Sequence, residues 1–247
     1  MIRIGVFTDA HYAEGLTTCN TRTCWQSMEK VGKVLRALSD ADALVQLGDL
    51  INISGDRERD MKNILAMQEM LNGCGKTCFS VLGNHDVEAA GKDIFLPGKE
   101  KGYYYADMGG VRLVFLDGCF TSDGISYEDA EWDWTDSLIP EEELNWLRQT
   151  LADAPWQAVV FCHQNLDERP GDPHVVKNAG KVRAILEESG KAAAVLQGHC
   201  HSGCRNVQGG ILYHTFRALC EGDNIPCAMV TIDDCEIQIE EMELSRK

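Results

Sequence analysis

Three short apolar runs in the first third of the chain each stop at small or polar residues with ligating side chains. Ile2 to Phe7 runs into Thr8-Asp9, Ala43 to Leu47 into Gly48-Asp49, and Thr77 to Leu82 into Gly83-Asn84-His85. Runs of this length read as buried strands. Between the first two, Trp25, Met28, Val31, Val34, Leu35 and Leu38 recur at helical spacing and predict a helix over about 23–39. Met61, Ile64, Leu65, Met70 and Leu71 predict a second helix, closed by Gly73. The order βαβαβ implies a parallel sheet with right-handed crossovers. Ligating residues at the carboxyl ends of its strands then share one edge, where open α/β sheets form their sites.

Beyond residue 100 the pattern changes. Tyr103 to Ala106 and Val111 to Leu116 predict a hairpin across Gly109-Gly110. A polar, aromatic-rich stretch over 118–139 follows. Glu141 to Leu151 predicts a helix with Pro140 at its start. Ala158 to Cys162 is a strand leading to His163, Val182 to Glu188 is helical, and Ala193 to Leu196 is a strand leading to Gly198-His199-Cys200-His201. Three further strands are expected near 211–216, 227–232 and 235–241. No Pro-, Gly- or Ser-rich linker interrupts the 247 residues, so one domain over 1–247 is expected.

Composition excludes several classes. With 39 Asp and Glu against 23 Lys and Arg, the net charge is −16. A nucleic-acid binder needs a basic footprint that this chain lacks, and acidity disfavours anionic membranes. No run is long and apolar enough to span a bilayer. The start lacks the features of a signal peptide, so the 11 cysteines are expected to be reduced thiols of a cytoplasmic protein. Cys74 with Cys78, and Cys200 with Cys204, are poor matches to a zinc knuckle, which prefers tighter, matched pairs.

Five short motifs occur in order: Asp9-Ala10-His11, Gly48-Asp49, Gly83-Asn84-His85-Asp86, His163, and Gly198-His199-Cys200-His201. Each alone is weak, since a lone Gly-Asp is usually a turn and a lone histidine usually a structural one. Together they bring aspartates, an asparagine and several histidines to one sheet edge. Such nitrogen and oxygen sets suit Mn²⁺, Fe or Zn²⁺.

The joint pattern, running from Asp9 to His201, resembles the calcineurin-like metallophosphoesterases. That resemblance implies a four-layer αββα sandwich, with two central mixed sheets flanked by helices. It implies two divalent metal ions, manganese foremost with iron or zinc as alternatives. Asp9, His11 and His201 are expected on the first, Asn84, His163 and His199 on the second, with Asp49 bridging both. His85 would face substrate together with Asn84 and act as the catalytic acid. Asp86 and Asn52 would orient His85 or a ligand. A bridging carboxylate holds two cations about 3.5–4 Å apart, and a water between them ionises near neutral pH and attacks phosphorus in line. The expected activity is hydrolysis of a small phosphodiester, nucleoside diphosphate or related phosphate ester. A nuclease, a phosphomonoesterase or a non-catalytic scaffold are the alternatives on the same fold.

Tyr12 after the first motif, Arg22 before the first helix, and Gly209 to Thr215 leading to Glu221-Gly222 resemble the branch of manganese-dependent ADP-ribose/CDP-alcohol diphosphatases. That branch often carries glutamine where this chain has His11, a departure bearing on substrate rather than on metal binding. Among the six acidic residues of 118–139 stand Phe120, Tyr127, Trp132 and Trp134. They can stack a base in the substrate pocket or pack the segment onto the sandwich, and packing is the simpler expectation. His174 and His214, off the motifs, are expected to be structural or surface histidines.

Overall fold

The structure, a computed structural model, describes every residue except 17–18, 100, 130, 132, 234–235 and 246–247. Two mixed sheets carry the fold. The first has five strands in the order β11-β10-β1-β2-β3: Glu236–Leu244, Ile225–Asp233, Ile2–Phe7, Ala43–Gln46 and Thr77–Ser80. β1, β2 and β3 are parallel, with Ile4 opposite Ala43 and Val45 opposite Phe79. β10 runs antiparallel to β1, pairing Ile2 with Ile232. The second sheet has six strands in the order β4-β5-β6-β7-β9-β8: Tyr104–Met108, Val111–Phe115, Gln157–Cys162, Ala192–Gln197, Ile211–Thr215 and Cys204–Gln208. Its four inner strands are parallel and its two edge strands antiparallel.

Residue alternation along each strand sorts side chains into three apolar layers. Ile2, Ile4 and Val6 of β1 meet Leu113 and Phe115 of β5, Val159 and Phe161 of β6, and Ala228 and Val230 of β10 between the sheets. On the outer face of the first sheet, Phe7 and Leu44 pack on α1 (Ser27–Ala37) and α2 (Arg57–Asn72) through Val31, Val34, Ile64 and Met67. On the outer face of the second, Val160 and Val195 pack on α5 (Glu141–Ala152) and α6 (Ala179–Ser189) through Leu144, Leu147, Val182 and Ile185. Helix, sheet, sheet, helix is the expected αββα order.

α1 is preceded by a 3₁₀ turn over Cys24–Gln26, so the helix predicted from 23 begins later. α2 begins at Asp56, whose carboxylate accepts from the backbone N–H of Glu58 and Arg59 at 3.1 and 3.2 Å. Two helices were not predicted, α3 (Asn84–Ala90) and the single turn α4 (Lys92–Phe95). The Gly83-Asn84-His85-Asp86 motif therefore opens a helix. Among the described residues no helix is long and apolar enough to cross a membrane.

Candidate metal centre

The parallel strands of both sheets end at one edge, and the loops leaving them are laced together. Beyond β1 and β2, Asp9 N donates to Gly48 O at 3.1 Å, His11 N to Asp49 O at 2.9 Å, and Tyr12 N to Leu50 O at 3.0 Å. Beyond β9, Leu219 N donates to Thr8 O at 3.1 Å and Cys220 N to Asp9 O at 3.0 Å. Gly198 N, beyond β7, donates to His163 O at 3.1 Å.

The backbone turns sharply where the ligating types sit. Asp9, His11, Asp49 and His199 all adopt positive φ, at 52°, 47°, 52° and 65°. Asp and His are among the non-glycine residues that tolerate this left-handed region, although such sites are uncommon and cluster where function holds them. Gly83 is required by close approach: a Cβ there would lie 2.2 Å from both the backbone nitrogen and Oδ1 of Asp49.

Two groups of side chains result. Asp49 Oδ2 lies 3.4 Å from both His11 Nε2 and His163 Nε2. On one side of it, Asp9 Oδ1 lies 3.7 Å from His11 Nε2 and 3.4 Å from His201 Nε2. On the other, the His163 and His199 rings stand edge to face with centroids 5.0 Å apart. Donor atoms of Asp49, His163 and His199 fall within 4.8 Å of one another, as do those of His11, Asp49 and His85. The structure thus places Asp9, His11 and His201 on one flank of Asp49 and His163 and His199 on the other.

The buried polar atoms say what the cluster fits. Among the described residues Asp9 Oδ1, His11 Nε2, Asn84 Oδ1, His163 Nε2 and His199 Nε2 are buried with no hydrogen-bond partner. Leaving so many polar atoms unpaired is costly unless a cation takes their lone pairs. Several of the remaining polar atoms are occupied, although His11 Nδ1 is not. His163 Nδ1 is 2.7 Å from Leu47 O, so it donates there and turns Nε2 toward Asp49. His201 Nδ1 lies 2.7 Å from Glu221 Oε1. Asp9 Oδ2 accepts from Thr8 Oγ1 at 2.5 Å and from His199 N at 3.1 Å. Burial opposes ionisation of both aspartates, yet His163, His11 and His201 hold Asp9 well below the usual carboxylate range, and His163, His85 and His11 do the same for Asp49. The donor set is that of a dinuclear site for divalent ions.

His85 projects beside this cluster, its ring centroid 4.7 Å from that of His11. Arg22 Nη1 stands 3.2 Å from His85 Nε2 and donates to Asn52 Oδ1 at 3.0 Å. Asn52 therefore holds Arg22 rather than a ligand. A guanidinium has no acceptor, so His85 Nε2 must accept and its proton sits on Nδ1. Burial, with further help from His11 and Arg22, pushes the imidazole down to about 3. Asp86 turns away from the cavity. Its Oδ1 accepts from Leu50 N and Ile51 N at 2.8 and 3.2 Å and its Oδ2 from Gly83 N at 3.1 Å, pinning α3 to the loop after β2.

A cavity of about 390 Å³ opens over the cluster, lined by Arg22, Asp49, Asn84, His85, His199 and His201, with Cys19 and Asn20 at one side. Its other wall holds Trp134, for which packing was the simpler expectation, and His174. Trp134, 41% exposed, has its ring 5.5 Å from that of His199. His174, expected to be structural, lies 5.4 Å from His199 and 5.6 Å from Trp134. Of the other aromatics of 118–139, Tyr127 is buried in the α1–α2 core and Phe120 lies under the Lys92 ammonium at 3.7 Å; Trp132 falls outside the described residues. Nothing local announces His174, because the bend at 165–176 that returns it to the site is set by pairing of Asn165 with Val175.

The cysteine pairs form no four-thiol site. Cys74 and Cys78 lie with their sulfurs 3.5 Å apart, whereas Cys200 contacts Ser202 and Cys204 contacts Thr215. His214 lies buried 2.8 Å from Glu241, away from the metal centre.

The sequence pattern of the calcineurin-like phosphoesterases matches residues 2–203. The chain belongs to the calcineurin-like phosphoesterase family. No curated protein matches the full sequence. Among solved structures, a dimetal phosphatase from Danio rerio is similar over 100% of this chain and 99% of its own, at 16% identity and a TM-score of 0.84. The purple acid phosphatase PPD1 of yellow lupin (Lupinus luteus) seeds is similar over 98% of this chain and 51% of its own, at 14% identity and a TM-score of 0.68. A putative 5'-nucleotidase from Staphylococcus aureus is similar over 99% and 54%, at 13% identity and a TM-score of 0.59. This calcineurin-like phosphoesterase is a metal-dependent phosphoester hydrolase by family, and the similarity to these structures speaks to its fold.

Proposed function

We propose that this calcineurin-like phosphoesterase hydrolyses a small phosphodiester, nucleoside diphosphate or related phosphate ester. Asp9, His11 and His201 would hold one divalent ion, Asn84, His163 and His199 a second, and Asp49 both. Manganese is the first choice, with iron or zinc as alternatives. When bound, two such ions supply charge against phosphoryl oxygens and an acidified water.

The observation that carries the substrate reading is the cavity itself. Its volume of about 390 Å³ suits a small ligand, and among its described lining residues Arg22 brings a guanidinium. The guanidinium can take a phosphate oxygen through its paired N–H groups. In doing so it frees His85 Nε2, and that nitrogen, after taking up a proton beside the bound phosphate anion, can pass it to the leaving oxygen. Trp134 offers an indole face at the mouth, where the base of a nucleoside can stack. The charge of −16 works against long polyanions, whose binding grows with each phosphate neutralised.

A phosphoester panel with Mn²⁺ tests this. ADP-ribose, CDP-choline and cyclic AMP are compared with p-nitrophenyl phosphate, its bis ester, a phosphopeptide and single-stranded DNA. At least one of the first three should exceed the phosphopeptide and the DNA in kcat/KM by tenfold or more, about 1.4 kcal/mol of discrimination. A preference for phosphopeptide or DNA overturns the proposal.

A further inference from the structure

Lys30, on α1, is 0% exposed, although lysine is almost never fully buried. Its ammonium donates to Gly222 O at 2.7 Å, Leu219 O at 2.8 Å and Thr23 Oγ1 at 3.1 Å. These acceptors lie on two segments that clasp each other. Thr23 N and Thr23 Oγ1 both donate to Cys220 O at 2.9 Å, and Arg22 pairs with Glu221 in an antiparallel bridge. The clasp carries two functional side chains. Glu221 Oε1 accepts from His201 Nδ1 at 2.7 Å and from Thr21 Oγ1 at 3.0 Å, while Arg22 reaches His85. His201 in turn directs Nε2 at Asp9.

We propose that Lys30 is a positioning residue for the first metal site, acting through Glu221 on His201. The proposal rests on the dinuclear reading of the site and extends it to a residue on a helix with no ligand of its own. The two carbonyls bracketing Cys220-Glu221 converge on one ammonium, which sets the height of that turn over His201. Glu221 then fixes the rotation of the imidazole, aiming Nε2 at the site beside Asp9. A carboxylate behind a ligating histidine is worth 10–100-fold in metal affinity, and that carboxylate is only as well placed as the turn that bears it. The hydrogen bonds of Lys30 to Gly222, Leu219 and Thr23 and of Glu221 to His201 and Thr21 reach neither His163 nor His199, and His199 meets this path only through its backbone N–H on Asp9, so the second site should be largely spared.

Metal-free protein is titrated with MnCl₂ by calorimetry, with folding followed by circular dichroism. Wild type should bind two ions. Lys30→Met should weaken one site by about 10–100-fold and leave the other unchanged. Glu221→Gln should do the same, and the double variant should lose no more than the larger single loss, as for residues acting in series. Wild-type affinity at both sites in Lys30→Met, equal loss at both, or losses that multiply in the double variant would each overturn the proposal. If Lys30→Met does not fold, Lys30→Arg is titrated instead: its fork cannot place three donors at one point, so a smaller loss at one site supports the proposal and wild-type affinity refutes it. Wild-type protein that takes up no Mn²⁺ strikes the dinuclear reading itself, which is a different outcome from two intact sites in the variants.

Discussion

His163 and His201 each face a carboxylate at 3.4 Å, Asp49 and Asp9 respectively. Burial works against the charged ring in both, but Asp49 and Asp9 hold His163 up at about 9, and Asp9 with Cys220 holds His201 at about 12. In the metal-free chain both rings therefore keep their protons at neutral pH. A raised value stabilises the fold fully below the unfolded histidine value of about 6.5, and for His163 that contribution is lost as pH rises through about 9. Metal ions need the bare nitrogen, so binding must expel protons. Calorimetric titration with Mn²⁺ at pH 7 in two buffers of different ionisation enthalpy should give different heats, and affinity should climb with pH. Identical heats in both buffers would contradict proton release. His85 belongs to another category of residue, since it faces the cavity beside Arg22. His85→Ala should keep both ions and lose roughly 10²–10⁴ in rate, the usual worth of a proton donor. The loss should shrink for p-nitrophenyl esters, whose leaving group needs no proton. An emptied metal site in this variant would show that His85 is a ligand instead.

At the level of strands and helices, the centre depends on how closely loop ends can pass one another. Gly83 is an unforgiving case, because the atom its Cβ would strike is the backbone nitrogen of Asp49, which no rotamer change can move. Gly83→Ala should cost roughly 1–3 kcal/mol, as overpacking does, and lower metal content together with Tm. Unchanged Tm and two ions per chain would show that the loops can part. The strands that set up this crossing were legible because parallel strands buried on both faces leave largely apolar runs such as Ala43 to Leu47, broken only by Gln46. What was not legible had weak periodicity. α3 is 7 residues long, too short to show a helical repeat, and the motif at its start was read only as the end of the preceding strand. β8 (Cys204–Gln208) is a half-exposed edge strand containing Arg205, Asn206 and Gln208, so it had no apolar run to betray it. Asp86 looked catalytic by its place beside His85, yet its three backbone bonds could be seen only once β2 and α3 were set side by side.

Across the whole molecule, a layer of Ile, Val, Leu and Phe between the sheets keeps the two sets of strand ends level with each other. The residues that gather around Asp49 from the two halves of the sequence were legible from their motifs, but their partners were not. Glu221, Lys30 and His174 come from segments whose approach depends on contacts spanning up to 192 residues, beyond any local pattern. The irregular 118–139 stretch illustrates a different consequence. It lends the cavity Trp134, yet among the described residues none of the side chains clustered around Asp49 belongs to it. The cage is anchored to strand ends and the wall above it to an insert between β5 and α5. Such an insert behaves as an exchangeable cartridge: lineages or engineers can rewrite what the cavity admits, residue by residue, while the ion-holding frame beneath is inherited intact.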